Sequence, residues 1–311
     1  MSLLPSRILR GSLPAASLCI LLIIIYYLNP RAISPLGFQL MFNLAVPIAL
    51  ATIAQMCVIT VNDLDLSIGA YVGFVVCVAA TWLNHQPVVG GLMLVGGILV
   101  YTLLGALIQL RNLPSIVVTL GMAFVWLGVA ILILPRPGGH SPVWLTQLMK
   151  LKTPFIPFPI LAAVTIAAVA HLALMRTSYG SILRGSGGNP QAIARAGWSL
   201  LRAKMTMFGL AGFFGMMSGL ALIGLTTSAQ ANVAERYTLL SITGVILGGG
   251  DFVGGRVSPI GAVIGALTLT LTAPFLTFLK ISPDWQIGAQ GAILIIVLAS
   301  RLLISWLDRG R

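Results

Sequence analysis

Side chains able to do acid–base or metal chemistry are few in this chain. There are six acids, Asp63, Asp65, Glu235, Asp251, Asp284 and Asp308, and three histidines, His85, His140 and His171. The histidines are scattered, and no His-Glu-x-x-His pair is present to hold a zinc ion. Cys19, Cys57 and Cys77 lie inside apolar runs with no ligand spacing, which marks them as small core residues. The one Lys-Thr pair, Lys152-Thr153, follows Leu151 and not glycine, so no Gly-x-x-x-x-Gly-Lys-Ser/Thr phosphate loop exists. The glycine-rich run from Gly248 to Gly255 fails the Gly-x-Gly-x-x-Gly spacing and follows no strand pattern. No catalytic residue, metal site or resident cofactor is expected in this chain, and a membrane hydrolase is poorly supported.

What remains is polar chemistry at breaks between apolar runs. Asp63, Asp65 and Asp251 sit at such breaks. An ionisable group at bilayer depth is costly and signals function. A break is close to water, however, and there capping of a helix start is the favoured reading. Asp65 and Ser67 both suit a helix N-terminus through their side-chain acceptors. The candidates for a pathway or its gate are Asn62, Asp65 and Ser67 in one break, and Gly248, Gly249, Asp251, Gly254 and Gly255 in another. Asn43, Gln55, Gln109, Thr119, Ser218, Thr226 and Gln230 are further candidates to line a pathway, with helix–helix hydrogen bonding as the equally weighted alternative.

The elements that position these residues are membrane spans. Hydrophobic residues make up 58% of the chain and charged residues 8%, against about 25% charged in soluble domains. The net charge of +12 is spread through short loops between apolar runs, not gathered on one face. That pattern belongs to membrane orientation, and nucleic acid is not an expected partner. With roughly 20 apolar residues needed per crossing, about ten spans are predicted. They lie near 13–29, 38–60, 67–83, 88–110, 115–134, 158–175, 205–228, 237–249, 258–280 and 285–304, the eighth being short. The first, after Arg7 and Arg10, lacks a small-residue cleavage pattern and is read as a retained helix. The fold class is thus an all-α membrane protein, a single transmembrane domain over 1–311.

A cytoplasmic N-terminus places twelve basic residues inside, five of them (Arg176, Arg184, Arg195, Arg202 and Lys204) in the 176–204 loop. It leaves six outside: Arg31, Arg136, Lys150, Lys152, Arg236 and Lys280. That bias favours both termini in the cytoplasm. The longest outer loop carries Pro135, Pro137, Pro142, Pro154, Pro157 and Pro159, which predicts an ordered cap. In the 176–204 loop, Asn189 is a good N-cap, Pro190 suits the first helical position and Gly197 suits the stop. The result is a two-turn helix anchored between two spans, a handle for a cytoplasmic partner; a basic loop resting on anionic lipid is the alternative.

Glycine recurs inside the spans with small-xxx-small spacing, at Gly69 and Gly73 and at Gly261 and Gly265. Ile68-Gly69-Ala70-Tyr71-Val72-Gly73 echoes Ile260-Gly261-Ala262-Val263-Ile264-Gly265, and each follows a break carrying an acid. An internal repeat and chance in a Gly/Ala/Val-rich chain are both open readings.

On these residues the chain resembles the permease subunits of ribose-type ABC sugar importers. Asp65-Leu66-Ser67-Ile68-Gly69 is similar to the family's Asp-Leu-Ser-Val-Gly. Gly188-Asn189-Pro190-Gln191-Ala192, with Gly197, lies where the family has its cytoplasmic coupling loop. Leu247-Gly248-Gly249 through Gly254-Gly255 to Gly261 and Gly265 is similar to the family's glycine run. Pro114 through Thr119-Leu120-Gly121 is a fourth, weaker match. The set runs in order across about 40–300. Two departures stand out: Asn62-Asp63 where the family has Gly-Gly, and Gly250-Asp251 where it has Thr-Ser.

The resemblance implies a binding-protein-dependent importer in a bacterial inner membrane. Two permease chains, as a homodimer or a heterodimer, would form one pathway through lipid. A separate cytoplasmic ATPase holding ATP and magnesium would dock on Gly188, Asn189, Gln191, Ala192, Arg195 and Gly197. A periplasmic solute-binding protein would deliver a small-molecule solute, a sugar by family default. A branched-chain amino-acid permease and a stand-alone secondary transporter or channel are the competing readings.

Overall fold

The structure, a computed structural model, describes residues 3–282 apart from Lys152, Pro154, Phe155 and Val253, together with isolated positions up to 295; side chains are described from residue 14 onward. The apolar runs form helices because lipid offers backbone groups no partner, so a crossing segment must satisfy its own hydrogen bonds. In chain order they are α1 (Leu3–Leu28), α2 (Pro35–Met41), α3 (Ala45–Thr60), α4 (Ile68–His85), α5 (Pro87–Arg111), α6 (Ser115–Ile133) and α7 (Val143–Met149). Then follow α8 (Phe158–His171), extended by a π-turn over Leu172–Arg176, α9 (Ser178–Gly188), α10 (Pro190–Arg195), α11 (Leu200–Thr226), α12 (Tyr237–Leu247) and α13 (Pro259–Phe278).

Six of these elements are long and apolar enough to cross a membrane, with Phe158–Arg176 as one of them, and the pair α2–α3, bent by 46°, makes a seventh. Pro14–Leu28 and α12 are shorter apolar helices. The chain is a multi-pass helical membrane protein. The run expected near 285–304 lies mostly outside the described residues.

Every residue of α3 is buried. A helix that is apolar all round belongs at the centre of a bundle, and α3 is packed by α8, α11, α12 and α13. In contrast, α6 has only 17% of its apolar window buried and faces outward.

Contacts sort the loops onto two ends. At one end, Asn62 meets Gly187 and Gly254, and Lys204 meets Asp63. At the other, Asn84 donates to the His140 carbonyl, Gly138 pairs with Ala229 through two backbone bonds, and Gly224 packs on Leu145 and Met149 of α7. The first part of the proline-rich loop, 138–149, therefore packs over this end of the bundle.

The segment 227–236, expected as an outer loop, instead descends into the bundle as a chain of turns before α12 begins. Gly73 packs on the Ala231 carbonyl; a Cβ on Gly69 would come within 2.6 Å of the Ala234 carbonyl oxygen, and the Gly69 N–H donates to Thr238 Oγ1 at 3.1 Å. Glycine at both positions lets α4 lie directly on this non-helical backbone. The echoing pair packs instead on the helical part of the same span: Gly261 on Gly248, the C-cap of α12, and Gly265 on Gly244 within it. One half-unwound span is thus held between two small-residue seams.

Candidate functional site

The end of the bundle around 176–204 is built in layers. Thr177 caps α9 by accepting the Gly180 N–H at 2.9 Å. Sequence reasoning found the next helix but not α9, whose Gly and Ser content reads as loop. The Asn189 side chain accepts the Ala192 N–H at 3.0 Å, Pro190 opens α10, and Gly197, at φ +84°, reverses the chain after it. Asn, Pro and Gly thus act as cap, first position and stop. Gly188, Asn189, Gln191, Ala192, Arg195 and Gly197 are all exposed, while Ile193 turns back onto Gly185. α10 is a short arm that presents an unfilled outer face.

This arm is fixed to the bundle by Asn62. Its amide donates to the Gly187 carbonyl at 2.6 Å and accepts the Gly254 N–H at 2.9 Å. Asn62 sits at φ +62°, a left-handed conformation that Asn tolerates well. Backbone approaches reinforce the tie: Gly187 lies on the Thr60 carbonyl, and Gly255 on the Arg184 carbonyl. Beside it, the Lys204 ammonium meets the Asp63 carboxylate at 2.8 Å, both largely buried. A groove of about 230 Å³ between Asn62, Asp63, Gln109, Ser186, Pro190 and Lys204 completes this junction. Three chain breaks, after α3, after α9 and after α12, converge here.

Asp65 belongs to a second, deeper cluster. It is fully buried. One carboxylate oxygen accepts the Ser67 N–H at 2.7 Å and the Ser67 hydroxyl at 2.6 Å; the other accepts the Tyr101 hydroxyl at 2.8 Å. With its amide assigned so that nitrogen meets carbonyl, Gln55 donates to the Asp65 carbonyl at 3.0 Å and accepts the Asp65 N–H at 3.2 Å. Thr119 Oγ1 accepts the Leu66 N–H at 3.0 Å, and Ser115 Oγ accepts the Leu64 N–H at 3.1 Å. Backbone that leaves the helix inside a membrane must be satisfied by the protein itself, and α3, α5 and α6 each supply side chains for that purpose. Tyr101 also packs in an aromatic group with Tyr71 and Trp126, at centroid distances of 4.6 and 6.2 Å.

The remaining expected residues lie elsewhere. Gly248 and Gly249 turn the chain out of α12, the Asp251 N–H donates to the Arg256 carbonyl at 2.9 Å, and the Asp251 side chain is exposed. Ser218 donates to the Pro47 carbonyl at 2.7 Å and Thr226 to the Leu222 carbonyl at 3.1 Å, whereas Asn43 and Gln230 are exposed. Among the described residues no group of His, Cys, Asp and Glu could hold a metal ion.

Comparison with known proteins places this architecture. The family model described as "Branched-chain amino acid transport system / permease component" matches residues 17–298. The ribose import permease protein of Bacillus subtilis is 26% identical over 299 residues, covering 91% of this chain and 90% of that one. The galactose/methyl galactoside import permease protein of Escherichia coli is 26% identical over 309 residues, covering 91% of each. The fructose import permease protein of Rhizobium meliloti is 25% identical over 259 residues, covering 79% of this chain and 72% of that one. No solved structure matches the chain. A buried helical bundle, an exposed capped arm at one end and a match over nearly the whole length agree: the chain belongs to the family of transport-system permease components.

Proposed function

We propose that this chain is the membrane-spanning subunit of an ATP-driven importer for a sugar or similar small polar solute in a bacterial inner membrane. Its relatives are named for ribose, galactose and fructose import, which favours a sugar over a branched-chain amino acid. Ten spans with both termini cytoplasmic fit the basic-residue bias. A second permease chain, identical or different, would complete the pathway, and a periplasmic binding protein would deliver the solute.

The observation that carries the reading is α10. It is exposed along its whole outer face, yet bolted through Gly187 and Asn62 to the loops that open α4 and α13. A cytoplasmic ATPase that held Gly188, Asn189, Gln191, Ala192, Arg195 and Gly197 would move those loops with it. ATP and magnesium would sit on that partner. The groups nominated as pathway or gate then divide by depth: Asn62, Gly254 and Gly255 at the junction, Asp65 and Ser67 in the support of the first break, and Gly248, Gly249 and Asp251 at the second.

A gentle-detergent pull-down of the tagged chain from native membranes tests this, with co-purifying proteins identified by mass. A stoichiometric ATPase is expected. Recovery of the chain alone, active for uptake in vesicles without ATP, would replace the reading with a secondary transporter or channel.

A further inference from the structure

The half-unwound span carries charge where lipid would not accept it. Gly215 of α11 packs on Ile68 and Tyr71, and it lies about 22 Å from one end of that helix and about 16 Å from the other at 1.5 Å per residue. Gly69, the next residue, touches Ala234 and Glu235. Glu235 and Arg236 therefore sit near mid-depth. The segment alternates: Ala229 and Ala234 are buried, at 2% and 0% exposure, while Gln230, Asn232, Glu235 and Arg236 are exposed. Among the described residues none of these four side chains has a hydrogen-bond or ion-pair partner.

Charged side chains at this depth face water or protein, not lipid, and non-helical backbone there is tolerated only in the same surroundings. An open groove of about 250 Å³, lined in part by Leu127, Ile131, Pro137, Gln230 and Asn232, leads along the same edge from the capped end. We infer that the exposed edge of 227–236 lines the solute path, with Gln230, Asn232, Glu235 and Arg236 offering a ladder of donors and acceptors to a polyhydroxylated solute. Amide, carboxylate and guanidinium groups together match hydroxyls that both donate and accept. This rests on the importer reading and adds the surface that the solute touches.

Single cysteines test it, introduced as Q230C, N232C and E235C into the C19A/C57A/C77A chain within the whole complex in right-side-out membrane vesicles. The probe is a charged, membrane-impermeant methanethiosulfonate. L103C and V164C, at exposed apolar positions of α5 and α8, are the lipid-facing controls. Labelling of the three edge positions is expected to be at least tenfold faster than of the controls. Capping them should also block uptake of whichever sugar the parent accumulates from a panel of labelled pentoses and hexoses. Edge labelling as slow as the controls, as in a dry contact with a second copy, would overturn the inference, and so would fast labelling that leaves uptake intact. A parent with no ATP-driven uptake, yet with the fast labelling pattern, would count against the importer reading alone.

Discussion

At the scale of single residues, Asp65 is a buried acid whose carboxylate is satisfied entirely by neighbouring side chains and backbone. Its carboxylate gathers three donors, from Ser67 twice and from Tyr101 once, and no water reaches it. Removing one partner of a buried hydrogen bond strands the others, at about 1–3 kcal/mol for each stranded group. D65A strands the Ser67 N–H and leaves the Ser67 and Tyr101 hydroxyls, 3.0 Å apart, only each other as partners, and is expected to destabilise the protein by about 3 kcal/mol. Y101F removes one donor to the carboxylate but leaves both Ser67 bonds to it in place, and should cost about 1 kcal/mol. Unfolding in detergent should rank them in that order, with uptake falling only as folded protein is lost. A D65A protein of normal stability that cannot transport would move Asp65 from scaffold to pathway. The position of Asp65 and Ser67 before an apolar run predicts a capped helix start, but no side chain caps α4; the Ser67 N–H and hydroxyl instead donate back to the Asp65 carboxylate. Their partners Gln55 and Tyr101, and Thr119 on the Leu66 N–H between them, lie on other helices, and nothing local in the sequence connects them.

At the scale of elements, local codes and long-range packing part company. α10 was legible because Asn189, Pro190 and Gly197 fix its start and stop with groups a few residues apart. The descent of 227–236 was not legible, since its depth is set by contacts with Gly69 and Gly73, some 160 residues earlier in the chain. The same distinction tells two classes of glycine apart. A Cβ at Gly187 would strike the Thr60 carbonyl, whereas one at Gly96 meets nothing within 4 Å. G187A must push the α9–α10 arm off the bundle and is expected to cost about 1–3 kcal/mol. G96A should be neutral or stabilising by up to about 1 kcal/mol, through helix propensity. Equal melting temperatures for the two variants would mean that the arm is not held where the Asn62 junction puts it. The arm's outer face carries a separate expectation. R195E and G197D should insert normally and lose most ATP-driven uptake, because Arg195 and Gly197 are exposed on the arm, and at Gly197 a φ of +84° also strains any side chain. Normal uptake in both would remove these residues from the coupling surface.

At the scale of the whole molecule, the question is which end of the bundle faces the cytoplasm. The contacts make each end internally consistent. α10, the 250–256 loop and the Asp63–Lys204 pair belong to one end; His85, the proline-rich cap and the turn after α11 belong to the other. On the reading proposed above the first end is cytoplasmic, which the basic-residue count favours because Lys and Arg near short loops resist translocation. Both inputs are needed, since packing alone has no sign and charge alone cannot tell that 227–236 dips inward. The combined arrangement fixes a labelling pattern. Q191C and D251C are exposed at one end, H85C and S228C at the other. An impermeant thiol reagent added to right-side-out vesicles should modify H85C and S228C at once. It should reach Q191C and D251C only after the membrane is opened. The mirror-image pattern would invert the protein and detach α10 from any cytoplasmic ATPase. A split, with Q191C and D251C on opposite sides, would break the junction that Asn62 holds between Gly187 and Gly254.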